Sequence, residues 1–409
     1  MCEQCGDRGK SHEEHVIHEP ERRKMLKMAG ASVLAAPLLG VLSPAHAKAQ
    51  PAASALGKSP FAARAYGARS VGGHFEPLQI QRRALGPRDV LLDVLYASIC
   101  HSDIHTARGD WGAPSLPCVP GHEIVGRVIA VGGAVTKFRI GDIGGVGCMV
   151  DSCGECENCL SDREQVCLNG TTFTYGSPDK VSGGHTLGGY SDKMVVTEKF
   201  VIRIPPGMDL VTTAPILCAG ITTFSPIRHW RVLPRQQVAV VGLGGLGHMA
   251  VKLAVAQRAG VTVFTTTPGK IADARRLGAK EAVLWSDAAA MKRLANTFDL
   301  MISTVPYAFE AQPFMDMLKP DSTFVNVGLG EARGINPASM AFGRKRLAGS
   351  MIGGIAETQE VVDYCFARNI RPEIELIRPD QIDAAYARVV GKDARYRFVI
   401  DFASTKAQA

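Results

Sequence analysis

The sequence predicts an α/β protein in which a doubly wound parallel-sheet domain is set into an irregular β-rich one, and three observations predict it. Apolar strand-like runs alternate with helical stretches through the middle of the chain. A glycine-rich turn follows the first of those runs, and short β-rich runs broken by Gly, Pro and Asp fill the stretch before it. The expected bounds are 58–217 and 357–409 for the β-rich domain and 218–356 for the parallel-sheet domain, after a leader over 1–47.

A chain of 409 residues, 46% hydrophobic and 21% charged, is long enough for two domains with their own cores and has ordinary globular composition. Disordered and fibrous classes are excluded. The net charge of +7 comes from 46 basic against 39 acidic residues. No long basic run or aromatic-basic interleaving accompanies it, so no nucleic-acid partner is expected. Four of the eleven cysteines fall between Cys153 and Cys167, which reads as metal ligation rather than a disulfide framework.

In the β-rich domain the strand candidates are DVLLDVLYASI, EIVGRVIAV, DKMVVT and FVIRIP. In the next, QVAVVG, VTVFTT, EAVLW, FDLMIST, STFVNVG and LAGSMIG alternate with helical stretches such as GHMAVKLAVAQRAG, a pattern that specifies parallel βαβ units. From TQEVVDYCFARN to YRFVIDF the chain returns to a helix and short strands, expected to pack back on the first domain.

Within QVAVVGLGGLGH, residues Gly242, Gly244, Gly245, Leu246 and Gly247 spell a G-x-G-x-x-G between a strand and a helix. Gly242 makes the turn, Gly244 lets backbone approach a pyrophosphate, and Gly247 allows helix and strand to pack, the Rossmann dinucleotide-binding arrangement. At the end of the second strand, where an NAD-specific chain usually has a carboxylate, stand Thr265, Thr266 and Thr267, then Lys270. Hydroxyls and a cation suit a 2′-phosphate, so NADP(H) is favoured.

Cys153, Cys156, Cys159 and Cys167 can close a tetrahedral zinc shell with no open position, a structural site. Cys100, His122 and Cys218 offer two sulfurs and an imidazole, leaving a fourth position free for water or a substrate oxygen, the catalytic arrangement. Two zinc ions per chain are therefore expected.

Residues 31–43 are apolar but too short to span a bilayer comfortably, and suit the core of a signal peptide. Glu21-Arg22-Arg23-Lys24 precedes them and Ala45-His46-Ala47 follows, so the leader resembles a twin-arginine export signal. It departs from that pattern in Glu21 and in the long stretch before the arginines. Export to the periplasm is the expectation, with a cytoplasmic enzyme bearing an uncleaved extension as the alternative.

Gly121-His122-Glu123-x2-Gly126-x5-Gly132, the four-cysteine lobe and GLGGLG together resemble the zinc-type medium-chain alcohol dehydrogenases. CHSDIH, VGCMVDSCGECENC, HTLGGYS and GSMIGGIAETQE are similar to the cinnamyl alcohol dehydrogenase group and its bacterial NADP-dependent aldehyde reductases, over about Phe61 to Phe402. The resemblance implies a GroES-like catalytic domain, a homodimer, and hydride transfer between NADPH and a broad range of primary alcohols or aldehydes that includes cinnamyl and benzyl types. It also implies Cys100, His122 and Cys218 as catalytic zinc ligands, with Glu123 able to join them. Ser102 and His105 would form a proton relay, and Asp103 would orient His122. Thr222 and Ser350 would lie near the coenzyme, and Trp111 would wall the substrate pocket. A zinc-free quinone or enoyl reductase on the same fold, or a coenzyme-binding sensor without turnover, remain the alternatives.

Overall fold

The computed structural model describes residues 57–406. The leader, with Arg22, Arg23 and the expected cleavage site, lies outside them.

Six parallel strands form the central sheet, in the order Glu281–Leu284, Gly260–Thr265, Gln237–Val241, Phe298–Ser303, Leu318–Asn326, Arg346–Gly349. The inner strands read as continuous apolar runs because helices cover both faces; all of Gly260–Thr265 is buried. The chain winds outward from Gln237–Val241 on one side and returns to Phe298–Ser303 on the other. The strand order reverses there, which opens a crevice at the carboxyl ends of those two strands.

The β-rich sheet runs Ile374–Ile377, Arg397–Asp401, Asp89–Ser98, Ile124–Val131, Ile143–Val146, Val201–Arg203, with Lys193–Thr197 also paired to Asp89–Ser98. Residues more than 300 positions apart therefore share one sheet: Arg397–Asp401 pairs antiparallel with Asp89–Ser98. Leu92, Val94, Ile124, Phe398 and Ile400 close a common core beneath it. This pairing carries the C-terminal segment to the crevice, and it matters for the site.

Candidate active site

The first metal-ligand candidate sits where a strand ends and a helix begins. Cys100 caps the helix His101–Arg108, and its backbone N–H donates to Asp103 Oδ2 at 2.8 Å. Gly109 ends that helix in the left-handed region at φ 77°, so the turn has a residue without a Cβ penalty. His122 follows a turn at Gly121, whose φ is 103° and whose missing Cβ leaves room for the ring of Tyr190. Cys218 precedes the helix Ala219–His229.

These turns bring Cys100, His122, Glu123 and Cys218 together, with one ligand atom from each lying within 4.8 Å of the others, all buried. The Cys100 and Cys218 sulfurs are 3.9 Å apart. That fits a tetrahedral zinc, because two Zn–S bonds of about 2.3 Å place their sulfurs roughly 3.8 Å apart. His122 turns Nδ1 to Asp103 Oδ1 at 3.1 Å, leaving Nε2 for the group. Glu123 Oε2 is buried without a hydrogen-bond partner, which suits a cation beside it.

The electrostatics prepare this set. The hydrogen bond between the two sulfurs holds Cys100 well below the ordinary thiol range and raises Cys218 in turn. Burial pulls His122 down, but Asp103, Cys148 and Cys100 outweigh it. Burial also pushes Glu123 up to about 7, against the pull of Arg397.

Cys153, Cys156, Cys159 and Cys167 gather in a separate lobe, within 4.8 Å of one another. Sulfur separations of 3.8 Å for Cys153–Cys159 and 4.0 Å for Cys156–Cys167 fit the same tetrahedral zinc geometry. The backbone N–H of Cys156 points at Cys153 Sγ, 3.4 Å away, and together with Glu155 N–H it draws the Cys153 thiol down to about 6.

The glycine motif forms the floor of the crevice. Gly242 has φ 94°, and a Cβ on Gly247 would collide with the Gly242 carbonyl oxygen, so both positions need glycine. A Cβ on Gly244 would meet nothing within 4 Å, which leaves its backbone bare toward the cleft, while Gly245 lies against the guanidinium of Arg397. Leu246 lines the same cleft, as do Thr265, Thr266 and Thr267. Thr265 is buried, its hydroxyl accepting from Thr267 N–H at 3.2 Å, whereas Thr266 stands exposed. Lys270 lines the cleft too, but its ammonium donates to the Leu243 carbonyl at 2.9 Å over the Tyr396 ring, and burial lowers it to about 8.

A second cavity of about 560 Å³ opens beside the metal-ligand group. Trp111, Pro114, Phe173, Tyr175, Leu329 and Ile352 make it mostly apolar, and Thr222 reaches it 4.0 Å from Cys218 Sγ. Cleft and cavity share Cys100, Ser102, Trp111 and Leu246. Ser350 lines neither; it follows the strand Arg346–Gly349, and its neighbours Met351 and Ile352 face the cavity instead.

Ser102 Oγ is 3.7 Å from Cys100 Sγ. His105, three residues along the same helix face, is stacked between His101 and Trp111 at 4.8 Å from each. Trp111 remains 54% exposed, so it forms a wall at the cavity mouth rather than part of the core. Sequence reasoning missed four groups here. Asp110 Oδ2 accepts from His105 Nδ1 across 2.8 Å; His101 lines the cleft; Cys148 lines the cavity; and Arg397 pairs with Glu123. Asp110 stood only five residues from His105, a local signal that could have been weighed. Arg397 carried none, being remote in sequence.

Comparison with known proteins agrees with this architecture. Residues 86–206 match the alcohol dehydrogenase GroES-like domain, and residues 245–367 match the zinc-binding dehydrogenase domain. The chain is 50% identical over 344 residues to NADP-dependent alcohol dehydrogenase C 1 of Mycolicibacterium smegmatis, covering 84% of this chain and 98% of that protein. It is 48% identical over 341 residues to the aldehyde reductase YahK of Escherichia coli, covering 83% and 97%. A cinnamyl alcohol dehydrogenase structure from Sorghum bicolor superposes with a TM-score of 0.81 at 41% identity, covering 83% of this chain and 98% of that one. The Helicobacter pylori CAD structure complexed with NADP(H) gives 0.79 at 41% identity, covering 84% and 98%. With its two cysteine clusters, its glycine-floored crevice and these likenesses over nearly the whole described chain, the protein belongs to the zinc-binding, medium-chain alcohol dehydrogenase family.

Proposed function

We propose that this NADP-linked alcohol dehydrogenase works as a reductase of apolar primary aldehydes, of benzyl or cinnamyl size, with Cys100, His122 and Cys218 as its catalytic zinc ligands. The observation that carries the reading is that the glycine-floored cleft and the apolar cavity meet at Cys100 and Ser102. A coenzyme and a carbonyl entering from the two sides would meet beside the metal-ligand group. Zinc bound there would supply a Lewis acid for the carbonyl oxygen, and NADPH the hydride.

The chain's own residues do the rest. Asp103 fixes the ring of His122 through Nδ1, so the imidazole needs no reorientation during turnover. Ser102 stands next to the ligand sulfur and gives the product oxygen its proton, and His105, held by Asp110, restores it from the surface. Apolar walls exclude water from the reacting carbon and favour an aryl or alkyl group over a charged one. Thr266 and Thr267, neutral donors at the cleft, admit a 2′-phosphate that a carboxylate would repel. A steady-state assay with NADPH and NADH against aromatic, cinnamyl and aliphatic aldehydes tests this. Equal use of both coenzymes, or no preference for apolar aldehydes, would overturn it.

Two further readings belong to the proposal. Pairing of two copies is supported by the open edge of Arg346–Gly349, where Leu347 is 40% and Phe342 of the helix Pro337–Gly343 is 94% exposed. Light scattering at the monomer mass would dismiss it. Export through the twin-arginine route is supported by Arg22-Arg23, the apolar stretch and Ala45-His46-Ala47.

A further inference from the structure

His248, the residue directly after the glycine motif, is wholly buried at the start of the helix Gly247–Ala256, and the mechanism does not use it. Its ring lies flat on Tyr396, with centroids 5.0 Å apart and planes 11° from parallel. Nδ1 is 3.3 Å from the Gly244 carbonyl oxygen, and Nε2 is 3.3 Å from the backbone N–H of Glu373. A backbone N–H can only donate, so Nε2 accepts. The single proton of the neutral ring therefore sits on Nδ1 and is donated to Gly244. Burial, with Lys252 and Arg397 nearby, pushes the imidazolium down to about 3, so this neutral form holds through any working pH.

The three partners of this ring are not ordinary core. Gly244 is the motif residue left bare toward the cleft. Tyr396 lines the same cleft under Lys270, and its hydroxyl donates to Asp273 at 2.9 Å. Glu373 begins the C-terminal segment that leads to Arg397, and its side chain pairs with Lys252 and Arg276. One side chain thus joins the glycine loop of one domain to the segment that the other domain contributes to the cleft.

We propose that His248 is a positioning residue for the coenzyme, whose two hydrogen bonds and ring stack lock the Gly242–Gly247 loop to the Glu373–Arg397 segment. The proposal rests on the glycine-floored cleft holding NADP(H). With the tie in place, the loop N–H groups and the Tyr396 ring keep a fixed spacing before the dinucleotide arrives. Without it, each binding event must order them. A residue that only filled space would be replaced by any ring of similar size.

His248→Phe separates these roles, since it keeps a ring on Tyr396 and loses both hydrogen bonds; His248→Asn returns a donor near Gly244. With zinc-loaded protein, titration of NADPH fluorescence is expected to show a dissociation constant raised about tenfold in His248→Phe, the scale of one or two ordinary hydrogen bonds. Partial recovery is expected in His248→Asn, and the coenzyme KM should move far more than kcat. An unchanged dissociation constant in a His248→Phe protein of parental zinc content and melting temperature would overturn the proposal. Failure of the unmutated protein to bind NADPH would instead sink the coenzyme reading itself. Should His248→Phe not fold, nitrogen-15 spectra of the unmutated enzyme's histidines decide the matter: a buried ring protonated at Nε2 contradicts the tie.

Discussion

Glu123 and Arg397, 274 residues apart, form an ion pair in which the carboxylate is fully buried and the guanidinium 4% exposed. Burial alone would pull Arg397 down, but Glu123, Cys100 and Cys218 outweigh it and hold it above its ordinary value. Through this pair the last strand of the β-rich sheet reaches both the metal-ligand group and Gly245 of the coenzyme loop.

Arg397→Met should therefore destabilise the protein by about 3–5 kcal/mol, because it leaves a buried carboxylate without its partner. Adding Glu123→Gln to that variant should restore much of the loss, since the orphaned charge goes too. Denaturant titration of the four proteins of this cycle checks it; additive losses would show that the two groups act independently.

Metal analysis should find two zinc ions per chain. Cys100→Ala or Cys218→Ala should lose turnover and about one zinc while largely keeping the fold. Cys156→Ala should instead lower the melting temperature by about 5–10 °C, because the metal of a closed four-thiolate lobe contributes to folding. An unchanged melting temperature for Cys156→Ala would rule out a structural role for the lobe.

Thr266→Asp should weaken NADPH use much more than NADH use. Thr266 is the exposed member of the threonine run, at the end of the second parallel strand, where an added carboxylate would repel a 2′-phosphate. Ratios of kcat/KM for the two coenzymes, before and after substitution, give the answer. An unmoved ratio would place the phosphate elsewhere in the cleft.

Much of this was legible in the sequence because its signals are local. Continuous apolar strands, the glycine turn and the Cys153–Cys167 spacing each lie within one short segment, and each specifies its own structure. The partners of those segments were less legible. Arg397 reads as one basic residue in a C-terminal strand, and only its antiparallel pairing with Asp89–Ser98 carries it to Glu123. Lys270 reads as a free cation for a phosphate, yet the helix Lys270–Arg276 turns its ammonium onto the Leu243 carbonyl. Thr265 likewise reads as equal to its neighbours until the strand end buries it.

Asp110→Asn should lower kcat about tenfold with little change in NADPH affinity, since His105 loses its anionic partner while the cleft keeps its shape. His105→Gln should cost at least as much. The double variant should be no slower than His105→Gln alone if the two act as one unit. A multiplicative loss in the double variant would separate Asp110 from the relay.

Arg22→Lys with Arg23→Lys should keep the enzyme in the cytoplasm with its leader attached, whereas the parent should appear beyond the membrane beginning near Lys48. A receptor that reads guanidinium groups depends on their planar fork of donors, and an ammonium does not reproduce that fork at equal charge. The swap preserves both the charge and the apolar stretch 31–43, so loss of export would assign the route to the arginine pair rather than to general hydrophobic targeting. Export in a folded state would suit the four-thiolate lobe and the coenzyme crevice, because thiols already holding metal are protected from oxidation in an oxidising compartment. Cell fractionation with N-terminal sequencing decides between the routes. Active parental enzyme recovered from the cytoplasm with the residues before Ala47 intact would show that the leader is no export signal.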